Sequence, residues 1–545
     1  MTNTIKKFVT KHTAQPVVKR SVIGLSLLGL VALSPIVAHS AMEADLAHQP
    51  EATSESLDQP ASAQLISVHE QDAQAVLSYI TSSQQLSAQL PSFLEESNQA
   101  IITHKGALPS AYALRLAKAL SEAHDVRDSL FKQALTHRSA LYRVDNSISD
   151  NERVTEIIIA MSAAVTLYEN SKIMHQAFDK NPLLRNKLNE GYPEFGIPAG
   201  FYDSSTMRSN NPEYRKAFTD AVRYFADNRV AIEAEINRSS TSIQSLYQHI
   251  AKSPMLKGLK GGNVFKKIAV LPFKAATGAF DLSGRGLNHA KFTSSKVVGN
   301  TVGAVRWRAG KLKDDMVMLK NMMASLQPGD ILLEKTPFTL TDKTIPGHFG
   351  HAAVYVGTKE QLKALGILDN TLVQKNLSKI EEGRGVVEAL RSGVQLNKLQ
   401  DFMNVDDVAI LRPKNLNIKD QQQAVTLALG NIGKKYDFNF DVNTTDTIVC
   451  SELVYIVYPQ VDFVTKNVLG SFAITPDDIA QAAGSSQTDP LEVVFFAHDG
   501  KLVCEQQLPT KQEGLVLYEN LVKPVAKTNT SSSAAQRAAF SGFIQ

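Results

Sequence analysis

Three residues whose side chains could together form a nucleophilic site occur where the surrounding sequence would hold them in place. Cys450 comes directly before Ser451-Glu452-Leu453-Val454-Tyr455, a run that predicts a buried helix. A cysteine at a helix N-terminus has its thiolate stabilised by the terminal amides and the helix dipole. His351 begins an apolar run that predicts a strand, and Glu388 lies on the next predicted strand. A carboxylate in an apolar strand needs a partner such as histidine, so we predict a nucleophile, a base and an orienting acid.

Each of these residues also has a structural explanation. A buried cysteine often packs as a small hydrophobe, and Glu388 could pair with Arg391 instead of a histidine. His348 is an alternative base, and we favour His351 because it begins the apolar strand. His348, His351 and Glu388 could also be metal ligands, but their spacing matches no helical zinc motif. We therefore predict no metal site and no cofactor.

The order of these segments resembles that of the permuted NlpC-type papain-like cysteine hydrolases of the YiiX/YebB kind, over about residues 322–500. The matching positions are Pro328-Gly329-Asp330, His351, Glu388, Tyr436 and Cys450-Ser451-Glu452-Leu453-Val454. In ordinary papain-like enzymes the cysteine precedes the histidine, whereas here it follows, as a circular permutation would give. The resemblance implies that Cys450 attacks a carbonyl, His351 transfers the proton and Glu388 holds the imidazole. It also implies that the backbone amide of Cys450 and Tyr436 help to stabilise the oxyanion.

The chain has only two cysteines, Cys450 and Cys504. In an oxidising compartment a disulfide between them is conceivable. Cys504 lies in a predicted strand, however, where a free buried thiol is a common packing residue, and we favour that interpretation. The sequence contains no Gly-rich phosphate loop, no Gly-x-Ser-x-Gly motif and no Cys-x-x-Cys motif.

The elements around the candidate site predict an α+β domain over residues 322–510, followed by a C-terminal tail over 511–545. Short β-rich runs begin after Pro328-Gly329-Asp330, and they cover residues 331–333, 352–357, 385–390 and 408–411. Residues 419–433 have helical spacing of apolar side chains. The runs 491–497 and 501–503 flank His498-Asp499-Gly500, which predicts a hairpin.

A separate all-α domain is predicted over residues 63–250. Val154, Ile157, Ile158 and Met161 place a continuous apolar stripe on one helix face, and Asn211-Pro212 is a typical helix start. Residues 192–202 are rich in aromatic residues, glycine and proline, so we expect a packed irregular loop there. The resemblance does not extend to this domain, whose function it leaves unassigned.

The N-terminus predicts export. Residues 1–41 contain five basic and no acidic residues, an apolar run over 22–38 and small residues after it, as a signal peptide does. An uncleaved anchor in the inner membrane is the alternative. Residues 42–62 are predicted to form a flexible leader. We therefore expect the mature protein in the periplasm or outside the cell.

Residues 251–321 form a basic, glycine-rich connector. From Lys252 to Lys320 there are fourteen Lys or Arg residues and three Asp residues. The segment could be a solvated connector, or it could contact an anionic membrane surface peripherally. The whole chain has a net charge of +3, which becomes −2 without the five basic residues of the signal segment, so we predict no nucleic-acid partner.

The resulting prediction is an exported cysteine hydrolase that cleaves an amide, ester or thioester bond through an acyl-enzyme intermediate. Its substrates would be cell-envelope peptides or lipids. One alternative is a catalytically silent papain-like module that binds lipid or peptide. Another is an acyltransferase of the lecithin–retinol acyltransferase-like kind.

Overall fold

The architecture comes from a computed structural model of the chain. It describes residues 61–143, 149–256, 308–337, 347–437, 442–443, 447–468, 471–505 and 508–523. The predicted signal peptide, most of the basic connector and the end of the C-terminal tail lie outside these residues. Within them, no helix has both the length and the apolar character needed to cross a membrane.

The first region of the structure contains only helices. Several begin at polar caps that the sequence supplies: Ser149 and Glu152 form a capping box, and Asn181 and Asn211 each accept backbone N–H bonds ahead of a proline. The helices are α1 (Ala61–Thr103), α2 (Ser110–Thr136), α3 (Asp150–Phe178), α4 (Pro182–Asn189), α5 (Phe201–Asn210), α6 (Pro212–Asp227), α7 (Arg229–Ile236) and α8 (Thr241–Lys252).

Helix α3 is the centre of this helical region. It contacts α2, α8 and the short helices between them, and Ile158, Ile159 and Val165 are fully buried. Its buried residues lie on more than one face, as expected for a helix that is surrounded by others. The aromatic segment predicted to be irregular includes a 3-10 turn (Pro193–Phe195) and an isolated bridge between Tyr192 and Ile197.

The second region is built on a seven-stranded antiparallel sheet, and the runs predicted as strands from the sequence form part of it. The strands are β1 (Asp330–Lys335), β2 (His351–Tyr355), β3 (Arg384–Leu390), β4 (Gly393–Lys398), β5 (Asp407–Pro413), β10 (Leu491–His498) and β11 (Lys501–Glu505). Their order across the sheet is β11-β10-β5-β1-β2-β3-β4. Two small pairs lie outside it: β6 (Lys435–Tyr436) with β7 (Thr447–Ile448), and β8 (Lys466–Val468) with β9 (Ser471–Ala473).

Both faces of the large sheet are covered. Ile331 and Leu333 belong to one apolar cluster and Leu332 to another, because successive side chains of a strand point to opposite faces. The covering helices are α9 (Met316–Ser325), α10 (Lys359–Ala364), α11 (Thr371–Glu381), α12 (Leu399–Phe402), α13 (Ile418–Gly430), α14 (Cys450–Val457), α15 (Pro476–Ala480) and α16 (Lys511–Val522). The region is therefore a mixture of helix and sheet, preceded by an all-helical region.

Two of these helices lie in segments to which the sequence analysis gave no structure. Helix α9 begins inside the predicted basic connector, and α16 lies inside the predicted C-terminal tail. In α16, Leu515, Tyr518 and Val522 recur at three- and four-residue spacing and pack into the core of the sheet region.

The turn between α1 and α2 joins the helical region to the helix that begins at Cys450. The backbone N–H of Leu108 donates to Asn443 Oδ1 at 3.1 Å, and the hydroxyl of Tyr455 on α14 donates to the carbonyl of Leu108 at 3.4 Å. Ala107 is buried in the apolar core of the sheet region. The helical region therefore supports the helix that carries the candidate nucleophile.

Candidate active site

Cys450 is the first residue of α14, as the sequence predicts. The short parallel strands β6 and β7 lead into this helix, with Tyr436 opposite Ile448. Glu452 Oε2 accepts the backbone N–H of Val449 at 2.8 Å, and the hydroxyl of Ser451 donates to the carbonyl of Ile474 at 2.6 Å. These bonds fix the helix start, so the Cys450 sulfur is held at the positive end of the helix dipole.

His351 is the first residue of β2, and its ring is directed by strand geometry. His351 pairs with Glu334 of β1 in the sheet, and the centroid of its imidazole ring lies 6.1 Å from the centroid of the Phe402 ring. The Nε2 atom lies 2.8 Å from Glu388 Oε2. Cys450 also acts on the imidazole, since it is among the groups that raise the pKa of His351. Because Nε2 contacts Glu388, Nδ1 is the ring nitrogen available to the sulfur.

Glu388 is buried on β3, opposite Ala353 of β2. Ala353 and His351 share one face of β2, so the carboxylate reaches the imidazole diagonally across the two strands. Its second oxygen, Oε1, accepts a hydrogen bond from Asn397 Nδ2 at 2.8 Å. Both carboxylate oxygens are therefore bonded to side chains, and Glu388 does not form the alternative pair with Arg391.

The pKa values of this pair shift apart. Burial alone lowers the pKa of His351, but Cys450, Glu388 and the nearby Glu334 together raise it well above its ordinary value of 6.5. Burial raises the pKa of Glu388, but the hydrogen bond and charge of His351, with the amide of Asn397, hold it below the ordinary value of 4.5. The site therefore favours an imidazolium between a sulfur and a carboxylate.

Tyr436 lies beside the candidate nucleophile. Burial and the charge of Cys450 raise the pKa of its phenol well above 10.0, while Arg391 acts to lower it. Tyr436 therefore stays a neutral hydroxyl that could donate a hydrogen bond. Arg391 lies in the β3–β4 turn, and its Nη1 atom is buried with no hydrogen-bond partner among the residues that the structure describes. The predicted oxyanion role of Tyr436 stays a prediction.

His348, the alternative base, lies in a different environment. Its backbone N–H donates to Asp477 Oδ2 at 2.9 Å, and its Nε2 atom lies 2.8 Å from Asp407 Oδ2. The structure therefore brings His351, and not His348, together with Glu388 and Cys450. The assignment of the base stays a prediction, since this geometry tests proximity and not catalysis.

Two residues that hold the site were not found from the sequence. Asn397 fixes the second oxygen of Glu388, and Asp477 accepts the backbone N–H groups of His348 and Phe349 at 2.9 and 2.8 Å. Asn397 lies on β4, a strand that was not predicted from the sequence, and the pairing of β4 with β3 places it on the face of Glu388. No sequence signal points to Asp477, because it lies more than a hundred residues further along the chain.

Cys450 and Cys504 are both free and buried. Cys504 lies on β11 opposite Phe496 of β10, in the core of the sheet region. Burial raises the pKa of the Cys504 thiol above its ordinary value of 9.0. A thiol in this state is a poor nucleophile, which agrees with a packing role for this residue.

Comparison with known proteins finds a family that matches the sheet region. Residues 325–513 match the model of a family described as permuted papain-like amidase enzymes, YaeF/YiiX, C92 family. No curated protein matches the chain. A crystal structure described as metalloprotein yiiX from Escherichia coli O157:H7 matches with 16% sequence identity and a TM-score of 0.24. That match covers 32% of this chain and 99% of the other.

Proposed function

Residues 325–513 belong to the permuted papain-like amidase family of YaeF and YiiX, and from this premise we propose that the chain is an exported cysteine hydrolase. The bond that it cleaves is an amide, ester or thioester. The observation that carries the proposal is the position of His351, which contacts Glu388 at 2.8 Å and whose pKa is raised by Cys450 as well as by Glu388. This is the arrangement of nucleophile, base and orienting acid that acyl transfer requires.

The proposed reaction has two halves. In the first, the Cys450 sulfur attacks the substrate carbonyl, the bond to the leaving group breaks, and His351 gives its proton to the departing amine, alcohol or thiol. In the second, His351 takes a proton from water, which attacks the thioester and releases the acid and the Cys450 sulfur. Glu388 keeps the ring in place and stabilises its charged form. The backbone N–H of Cys450 and the hydroxyl of Tyr436 are the proposed donors to the oxyanion.

The proposed substrates are acyl compounds of the cell envelope, either peptides or lipids. The family description names amidases, which supports amide bonds, while the same chemistry cleaves lipid acyl bonds. An acyltransferase of the lecithin–retinol acyltransferase-like kind differs only in the acceptor, an alcohol or amine in place of water. A silent module would keep the cleft and bind peptide or lipid without turnover.

The first experiment measures how fast Cys450 reacts with iodoacetamide at pH 7, in a Cys504→Ser background so that one thiol is counted. We expect His351→Ala to lower the second-order rate constant by about a hundredfold or more, since general-base assistance is worth 10²–10⁴. His249→Ala, at a half-buried histidine of the helical region, is the matched control and should leave the rate unchanged. Equal labelling of the parent and the His351→Ala variant would contradict an activated thiolate.

A second measurement separates the enzyme from the silent module. The protein is incubated with a panel of acyl amides, esters and thioesters, and the acyl-Cys450 adduct is sought by intact mass. Turnover that is lost in Cys450→Ser supports hydrolysis. Rapid alkylation without turnover of any panel member favours the binding module, and transfer to an added alcohol or amine favours the acyltransferase.

Export and membrane contact are also proposals. The basic, glycine-rich composition of residues 251–321 and the signal-like composition of residues 1–41 support them. A fusion of residues 1–41 to a reporter enzyme that is active only in the periplasm tests export. Sedimentation of the mature chain with vesicles of anionic or neutral lipid tests peripheral binding, and equal sedimentation with both would contradict an electrostatic contact.

A further inference from the structure

Three metal-ligating side chains from separate segments converge away from the Cys450 centre. His348 precedes β2, Asp407 begins β5 and His498 ends β10. Strand pairing explains the convergence of two of them, because Ala497 of β10 lies opposite Val408 of β5 and so places His498 beside Asp407. The donor atoms His348 Nε2, Asp407 Oδ2 and His498 Nδ1 all lie within 4.8 Å of one another.

Hydrogen bonding within the cluster does not account for all of its polar atoms. Both His348 Nε2 and His498 Nδ1 lie 2.8 Å from the same oxygen, Asp407 Oδ2. The His498 contact is an aligned hydrogen bond, whereas His348 Nε2 is buried and makes no aligned hydrogen bond. The other oxygen, Asp407 Oδ1, accepts the backbone N–H of Asp499 at 2.8 Å. The Nε2 atom of His348 is therefore the buried polar atom of the cluster that its hydrogen bonds leave unsatisfied.

The spacing of the three donor atoms suits a small divalent ion. Ligand atoms about 2.0–2.1 Å from a tetrahedral Zn²⁺ are about 3.3 Å apart from one another. Each histidine donor atom lies 2.8 Å from Asp407 Oδ2. Binding of an ion would therefore require each of these two separations to widen by about half an ångström.

We propose that His348, Asp407 and His498 form a zinc site with two histidine ligands and one carboxylate. Two imidazoles and a carboxylate are a common ligand set for Zn²⁺. The His498 side chain is 33% exposed, so the open side of the site reaches solvent and a water molecule can complete the tetrahedron. The Asp407 side chain is only 5% exposed, which limits competition from water for the carboxylate.

The proposed zinc site would help to position the start of β2, where His351 lies. His348 is three residues before His351, and the turn that contains it is already held by Asp477 through two backbone N–H groups. A bound ion would tie the same turn to β5 and β10 through side chains. The zinc site would therefore stabilise the entry to the strand that carries His351, and its ligands take no part in the acyl transfer.

A second group of potential ligands, His69, His137 and Glu156, is less suited to a cation. His137 Nε2 already has a hydrogen bond with Asp72 Oδ2 at 3.1 Å. Arg143 Nη1 lies 3.6 Å from Glu156 Oε1 and places a positive charge beside the group. We therefore use this group as the control.

The test measures zinc binding in the Cys450→Ser background, because the Cys450 and His351 side chains could bind added zinc themselves. Zinc is titrated against a chromogenic chelator, and bound metal is counted after gel filtration. We expect one equivalent per chain and a rise in melting temperature on addition of zinc. His498→Gln and His348→Gln should each weaken the affinity by at least tenfold, whereas His137→Gln should leave it unchanged.

Two results would overturn the proposal. One is the absence of zinc uptake by folded Cys450→Ser protein. The other is uptake that His498→Gln and His348→Gln do not change. Circular dichroism and metal-free melting of each variant identify loss of folding, and His498→Gln is the safer variant because its side chain is partly exposed. None of these readouts depends on activity, so the zinc site and the proposed hydrolase can fail separately.

Discussion

The helical region and the sheet region both bury charged side chains, but they pair them over very different distances along the chain. In the helical region, Lys187 and Glu190 are three residues apart, lie 3.0 Å apart and have side chains that are 2% and 5% exposed. In the sheet region, His351 and Glu388 are 37 residues apart and meet across two strands. The first pair joins neighbouring turns of one segment. The second exists only if the strands pair in the correct register, and it is the pair that faces the candidate nucleophile.

The helical region differs in its packing as well. It contains a cavity of about 280 Å³, and most of its surface is apolar. Its lining includes Leu116, Leu120, Met161, Phe178, Phe201 and Phe218. The apolar side chains that line it are therefore less closely packed than those of a filled core. The buried pair of the helical region joins residues of one segment, whereas the buried pair of the sheet region joins distant strands at the proposed active site.

The largest effect is expected at the buried pair of the helical region. Lys187→Met should lower the free energy of unfolding by about 3–5 kcal/mol, because it leaves the Glu190 carboxylate buried without its cation. Denaturant unfolding measures this change. Lys216→Met removes a cation from the exposed pair with Asp220 in the same region, and it should change stability by no more than about 1 kcal/mol. Equal changes in the free energy of unfolding for the two variants would mean that burial does not determine how much the loss of the cation destabilises the protein.

Glu388→Gln should affect reactivity more than stability. The substitution keeps the shape of the side chain but removes the charge that stabilises the His351 imidazolium. A hydrogen bond to a charged group is worth about 1.5–3 kcal/mol, so the rate of Cys450 alkylation at pH 7 should fall about 10- to 100-fold. Glu381→Gln, at an exposed acid that pairs with Lys359, is the control and should leave the rate unchanged. An unaltered rate in Glu388→Gln would remove the carboxylate from the proposed triad.

The pH dependence of stability should isolate the contribution of His351 in the sheet region. Because folding raises the pKa of His351 above 6.5, its contribution to stability is fully present below pH 6.5 and is lost as the pH rises through the folded pKa. The difference in unfolding free energy between the parent and His351→Gln should therefore decrease toward alkaline pH. In Cys450→Ser, which removes the sulfur that helps to raise the folded pKa, the decrease should be smaller and should be complete at a lower pH. A decrease of the same size that ends at the same pH in both backgrounds would show that Cys450 does not set this pKa.

The smallest effect is expected from filling the cavity. Ala164 on α3 lines it, and Ala164→Leu should raise the free energy of unfolding by about 0.5–2 kcal/mol. Ala231→Leu, at an exposed position of α7, is the control and should stay within about 0.5 kcal/mol of the parent. Destabilisation by Ala164→Leu would mean that the cavity is too narrow at α3 to accept the larger side chain.

The sequence by itself determined the local features of the site. Cys450 at a helix start, His351 at a strand start and Glu388 within a strand follow from patterns of a few residues, and so does the helix start at Asn211. The order of these segments was enough to identify the permuted papain-like family, which the match over residues 325–513 confirmed. The helices α9 and α16 were not predicted from the sequence. Their apolar residues are buried against a sheet whose strands come from other parts of the chain.

Only the tertiary structure decided which histidine meets which acid. His348 and His351 lie in one short segment, yet one contacts Asp407 and the other Glu388. The alternation of a strand fixes the direction of each side chain, but the strands that lie beside it are set by pairing between distant segments. The contacts of Glu388 with Asn397 and of the His348 turn with Asp477 have the same origin. For that reason the chemistry could be predicted from residue types, while the partners that orient it required the fold.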